Sequence, residues 1–203
     1  MIAIIDYRAG NLRSVARALQ YLGLECAITG DAREILGAER VIFPGVGAAG
    51  KAMETLASLG LDKIIHAVVE KGTPFLGICL GTQIILEESE EDGARCLGII
   101  PGKARRFSGT GLKIPHMGWN TLQSCRSHPV FEGVDPSAQF YFVHSFYPDP
   151  AGEGFAVART SYGIEFASVI ARGSVVATQF HPEKSGGPGL ALLRNFSRWN
   201  GTC

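Results

Sequence analysis

Apolar positions in the first eighty residues fall into short blocks that switch between two periods. Met1 to Tyr7, Glu25 to Ile28, Arg40 to Phe43 and Phe75 to Ile78 read as strands, the last an apolar run of the kind buried on both faces. Between them, about Asn11 to Leu22, Ala48 to Ala57 and Asp62 to Glu70 carry apolar residues at helical spacing, and a further helix is expected from Gly81, carrying Ile84, Ile85 and Glu87. This alternation predicts an α/β fold with a doubly wound, mostly parallel sheet and helices on both faces. From Leu97 the pattern breaks into short runs separated by turn residues: Leu97 to Ile100, Ala104 to Phe107, Ile114 to Met117, Gln139 to Val143, Phe155 to Arg159 and Phe166 to Ala171. These predict a mixed or antiparallel extension in the second half. Val175 to Phe180 reads as one more strand, and a final helix is expected from about Gly189 to Trp199.

Composition adds bounds. With 203 residues, 46% of them hydrophobic, and no Ser/Pro-rich linker, repeat or low-complexity tract, a single domain spanning 1–203 is expected. Nineteen basic residues balance nineteen acidic ones, so nucleic acid is not an implied partner. The one dense charged run, Glu87 to Asp92, reads as a solvated helix end. Met1 to Ile5 is apolar but too short for a signal or membrane segment and lacks a basic leader, which points to a cytoplasmic chain. Five irregularly spaced cysteines (26, 79, 96, 125 and 203) argue for free thiols in a reducing compartment; Cys26 reads as core and Cys203 as terminal.

One of those thiols sits in a special place. Gly77-Ile78-Cys79-Leu80-Gly81 has the Gly-x-nucleophile-x-Gly spacing of a tight strand-to-helix turn, in which the glycines let the two backbones crowd while the nucleophile is held out. A helix N-terminus there favours thiolate, and the Leu80 amide is placed to donate to an oxyanion. About a hundred residues later the strand Val175 to Phe180 delivers His181 at its end, followed by Pro182 and Glu183. His181 suits a general base and Glu183 its orienting acid. Each residue alone reads more simply as a buried thiol or an exposed turn; their joint placement at strand ends favours catalysis. A metal site built on Cys79, His181 and Glu183 is a weaker reading, because no Cys-x-x-Cys or His-x-x-x-His spacing supports it. Gly45 to Gly50 fits Gly-x-Gly-x-x-Gly and raises a dinucleotide-binding oxidoreductase. Against this, the motif follows a later strand, and the acidic residues about twenty positions on, Asp62 and Glu70, fall in helical sequence.

Gly-Ile-Cys-Leu-Gly-x-Gln followed by Phe-His-Pro-Glu-Lys-Ser resembles the class I, or triad, glutamine amidotransferases, and the resemblance spans nearly the whole chain. Ile5 to Leu12, Pro44 to Gly47, Pro115 to Asn120 and Tyr141 to Tyr147 are similar to the branch whose members supply ammonia to a (β/α)₈-barrel cyclase in histidine biosynthesis. Glutaminase subunits of other synthases, such as anthranilate or aminodeoxychorismate synthase, and a non-catalytic binding module are the alternatives. The resemblance implies hydrolysis of glutamine without cofactor or metal. It implies that a backbone amide near Val46 or Gly47 joins that of Leu80 as oxyanion donor. It also implies that Gln83, Ser145 and Phe146 help to hold glutamine, and that Asn11, His116, Trp119, Tyr141 and Lys184 lie near the partner interface or the ammonia entrance. Thr82 departs from the branch, which commonly carries methionine there.

Overall fold

The computed structural model of the chain describes residues 1–109 and 111–202, so Cys203 lies outside the described residues. The first half runs β1 (Ile2–Ile5), α1 (Leu12–Tyr21), β2 (Cys26–Thr29), α2 (Ala32–Gly37), β3 (Arg40–Gly45), α3 (Ala49–Leu59), α4 (Leu61–Glu70), β4 (Phe75–Cys79) and α5 (Leu80–Ile84). The second half adds β5 (Glu88–Ser89), β6 (Ala94–Arg95), β7 (Gly102–Arg106), β8 (His116–Thr121), β9 (Ser124–Cys125), β10 (Gln139–His144) and β11 (Phe146–Pro150). It closes with β12 (Ala156–Tyr162), β13 (Ile164–Arg172), β14 (Val175–Thr178) and α6 (Gly186–Phe196). Eight strands form the central sheet in the order β2-β1-β3-β4-β14-β13-β12-β9. The five from β2 to β14 are mutually parallel, and β13, β12 and β9 extend it antiparallel. Smaller sheets, β10-β8 and β11-β7-β5-β6, accompany it.

Period-two alternation divides the strand side chains between two cores. Ala3, Ile5, Val41, Phe43, Phe75, Val175 and Ala177 pack with α2, α3, α4 and α5 on one face. Ile2, Ile4, Ile42, Leu76, Ile78 and Val176 pack with α1, α6 and β10 on the other. A sheet covered on both faces needs strands that are apolar at every position, which is why β1 and β4 read as continuous runs.

Several expectations need correction. The helix after Gly81 has only five residues and ends at Ile84. The carbonyls that would continue it accept from other amides: Leu97 N–H bonds to Ile84 O, Gly98 N–H to Leu86 O, and Ile99 and Ile100 N–H both to Ile85 O. The same bonds explain why Leu97 to Ile100 is not a strand. Glu87 to Asp92 is not a helix end either; it holds β5, and its carboxylates cap backbone amides. Glu87 accepts from Gly102 N–H (2.9 Å), Glu90 from Arg106 N–H (2.8 Å) and Glu91 from Ala49 N–H (2.7 Å), the last at the start of α3. Besides the two-residue strands β5, β6 and β9, two longer elements among the described residues escaped the pattern. The short helix α2 is capped by Asp31, which accepts from Arg33 and Glu34 N–H, a signal present in the sequence. Strand β11 carries Pro148 and Pro150, which demote a run in sequence but are tolerated here because, among the described residues, β11 is an edge strand paired with β7. The last helix begins at Gly186 and ends at Phe196, three residues ahead of its expected bounds at each end.

Candidate active site

Strands β3, β4 and β14 lie side by side and end together, so the segments leaving them meet at one edge of the sheet. Cys79 closes β4 with φ 56° and ψ −105°, a positive-φ conformation outside the left-handed helical region that a non-glycine residue rarely adopts without constraint. The constraint comes from the flanking glycines. A Cβ on Gly81 would stand 2.2 Å from the Phe43 carbonyl oxygen, and one on Gly77 3.0 Å from Ala177 Cβ and from the Gly81 carbonyl oxygen. We therefore expect Gly81→Ala to destabilise the fold by roughly 3 kcal/mol, since the obstacle is backbone and cannot swing away; urea unfolding against wild type measures this. Thr82 is fully buried and donates to the Thr178 carbonyl at 2.6 Å, tying α5 to β14 and giving the threonine a polar role that a methionine lacks.

His181 lies just past β14. Its backbone N–H bonds to Tyr141 O (2.9 Å), and Ser185 Oγ clamps the segment by donating to His181 O (2.6 Å) while accepting from Tyr141 N–H (3.0 Å). The ring's Nδ1 meets Glu183 Oε1 at 2.8 Å, with both side chains almost wholly buried. That leaves Nε2 for the Cys79 side. Burial on its own pushes the imidazole pKa down, but the Cys79 sulfur and then the Glu183 carboxylate outweigh it and hold His181 up at about 10. Nε2 is buried with no fully formed hydrogen bond among the described residues, and the Cys79 sulfur raises the ring first as the acceptor it faces and only second through charge. The arrangement is an imidazolium held between a sulfur and a carboxylate.

These groups open on a cavity of about 340 Å³. Val46 and Gly47, on the loop leaving β3, line it opposite Leu80, the first residue of α5, whose N–H has no intrahelical acceptor. Since α5 is so short, local amides outweigh any macrodipole in favouring negative charge here. Gln83, Ser145, Phe146 and Lys184 also line the cavity. Gln83 Nε2 donates inward to Phe146 O and to Gln179 Oε1, both at 3.1 Å, so its amide can offer a ligand the acceptor Oε1, which suits an ammonium group. Glu91 lines the cavity as well, and the sequence reading missed it because its charged run suggested only solvation. A second acceptor for an ammonium is thereby present.

The remaining candidates sit apart. Asn11 starts α1, with Oδ1 accepting from Ser14 Oγ (2.7 Å), and borders a separate cleft with Asp6 and Arg13. His116 is interior, its ring stacked on Tyr162 (centroids 4.0 Å apart). Trp119 is 53% exposed and meets Tyr141 edge-on at 6.0 Å, and Lys184 Nζ lies 5.8 Å from the Tyr141 ring centre, so these three link the cavity rim to the surface. Gly45 to Gly50 begins within β3 and leads into α3, but its amide at Ala49 is taken by Glu91, which occupies the place a pyrophosphate would need. A larger cleft of about 660 Å³ lies elsewhere; there Cys125 donates to Arg126 O and His128 accepts from Val130 N–H, without a bond between the two. Among the described residues no cluster of three or more His, Cys, Asp or Glu could hold a metal ion, and no helix is long and apolar enough to cross a membrane.

The family model described as glutamine amidotransferase class-I matches residues 3–198. A protein of Desulfovibrio desulfuricans named imidazole glycerol phosphate synthase subunit HisH is 53% identical over 205 residues, covering 97% of this chain and 93% of that one. A protein of the same name from Dehalococcoides mccartyi strain 195 is 50% identical, covering 97% and 96%. Among solved structures, a glutamine amidotransferase superposes with TM-score 0.77 at 22% identity over the whole of both chains, which is a likeness of fold.

Proposed function

Because the chain belongs to the class I glutamine amidotransferases, we propose that it is the glutaminase subunit of an imidazole glycerol phosphate synthase, one glutaminase domain acting in the cytoplasm. The observation that carries the chemistry is the buried contact between His181 and Glu183 beside a sulfur held on a constrained turn. Cys79 thiolate attacks the side-chain carboxamide carbon of glutamine, and the carbonyl electron pair moves to oxygen, held by the Leu80 amide and one from Val46 or Gly47. His181, already protonated, gives its proton to the departing nitrogen, and ammonia leaves a γ-glutamyl thioester. Water then attacks the thioester as His181 takes its proton, glutamate departs and the thiolate is restored. Glu183 keeps the ring oriented and its cationic form stable throughout. Gln83 Oε1 and Glu91 face the substrate ammonium, with Ser145 and Phe146 forming the adjoining wall. The reaction needs no cofactor.

The partner is a (β/α)₈-barrel cyclase, which uses the ammonia to form imidazole glycerol phosphate. Met117 (61% exposed) and Trp119 (53% exposed) project from β8 beside the Tyr141 and Lys184 pair, an apolar surface next to the cavity that a partner would cover. Asn11 borders a further part of that contact, while His116 supports it from within. The test is reconstitution with the barrel cyclase and its ribonucleotide. Glutamine hydrolysis by the lone chain should be low and rise steeply in the complex, and Trp119→Ala should weaken assembly about tenfold or more. Full hydrolysis by the lone chain, with no association, would count against the subunit reading.

A further inference from the structure

Gln179 stands between β14 and His181, fully buried, with Nε2 3.7 Å from Cys79 Sγ. A glutamine amide can face either way, but here obligatory donors and acceptors leave one choice. The Phe146 carbonyl can only accept, and it receives His144 Nδ1–H at 2.7 Å and Gln83 Nε2–H at 3.1 Å. Gln83 therefore presents its second N–H to Gln179, which must answer with Oε1 (3.1 Å). Gln179 Nε2, a donor and nothing else, is left facing the sulfur.

The same polarity runs outward. With its proton on Nδ1, neutral His144 accepts at Nε2 from His116 Nδ1–H (2.9 Å), and His116 Nε2 accepts from Asn120 Nδ2–H (3.3 Å). Asn120 is pinned in turn, donating to Ser161 O (3.0 Å) and accepting from Thr121 N–H (2.8 Å). No link in this relay can reverse without placing two donors or two acceptors against each other in a buried site. The relay thus ties the β8 strand that bears Trp119 to the sulfur of Cys79.

We propose that Gln179 is a further catalytic residue: its side-chain amide donates a hydrogen bond to the Cys79 thiolate, and the relay through Gln83, Phe146 O, His144 and His116 holds it in that orientation. This rests on reading Cys79 as the glutaminase nucleophile. A thiol can donate to the Val143 carbonyl, 3.9 Å away, but a thiolate can only accept, so the Gln179 contact selectively stabilises the ionised form. The other titratable groups around the sulfur are His181 backed by Glu183, Tyr7 from the end of β1, His144 from β10, and Glu91 and Lys184 on the cavity wall.

The test is alkylation of the Cys79 peptide by iodoacetamide across pH, read by mass spectrometry on the full chain. Gln179→Met, apolar and of similar shape, should move the midpoint up by about one pH unit. Gln179→Glu, which sets a carboxylate against the sulfur, should move it further. In the reconstituted complex kcat for glutamine should drop about tenfold with KM nearly unchanged. His116→Phe, whose ring suits the stack with Tyr162 and leaves the cavity wall intact, should give a smaller shift of the same sign. It decides the matter if the Gln179 variants do not fold by circular dichroism. Unchanged midpoints in folded variants would overturn the proposal. Loss of the glutaminase reading would show separately, as a wild-type complex that does not hydrolyse glutamine while the alkylation profiles still differ.

Discussion

Cys79→Ala, assembled with the barrel cyclase, should lose glutamine-dependent synthesis by at least about a thousandfold while ammonium-dependent synthesis stays close to wild type. The size comes from the chemistry. Without sulfur no thioester forms, and His181 has no nucleophile to assist, so the remaining donors can only bind substrate. The side chain lost is small and borders an open cavity, so the fold has little reason to respond. Steady-state assays with each nitrogen source in parallel check both halves. Surviving glutamine use would reject Cys79 as nucleophile, and loss of ammonium use would show that the substitution damages the complex.

Stability should fall sharply as pH drops from about 6.5 toward 4.5. Burial is the leading cause that lowers the pKa of three histidines, His116 and His128 to about 4 and His144 to about 3. Each is therefore neutral in the folded chain and protonated in the unfolded chain between its folded value and 6.5. The unfolded state binds more protons in that window, so stability rises with pH there and is lost on acidification. Each histidine contributes a slope of up to roughly 1.4 kcal/mol per pH unit, so two units of acidification remove several kcal/mol, much of the stability of an ordinary domain. His181 behaves oppositely. Its folded pKa of about 10 gives stability that is complete below 6.5 and fades only as pH climbs toward 10, so it does not offset the acid loss. Urea unfolding at pH 7 and pH 5 measures the difference, and His128→Phe should reduce the slope by one proton. A flat profile over that interval would show that these histidines are not held neutral.

The helix after Cys79 shows where sequence reading runs short. Its apolar positions fit a longer helix, yet the carbonyls of Ile84, Ile85 and Leu86 are claimed by amides that arrive a dozen residues later, a competition local periodicity does not register. The acidic run misled for a similar reason. Glu91 looks solvated by composition, but its carboxylate caps α3 and borders the cavity because β5 and the turn after it fold back over the start of that helix. Asp31, by contrast, was a readable cap ahead of α2.

By itself the sequence determined the doubly wound sheet, since apolar runs that must be covered on both faces alternate with amphipathic helices. It also picked out Cys79, His181 and Glu183 for the proposed roles of nucleophile, base and acid, because a glycine-flanked turn and a strand end allow few other uses for those residue types. Only the tertiary structure decided the protonation and direction of the groups around them. The raised pKa of His181, the neutrality of His116 and His144, and the single orientation open to Gln179 arise from contacts between β4, β8, β10 and β14. Those strands are far apart in the chain, and the energy of a buried charge or hydrogen bond depends on what lies opposite it in space.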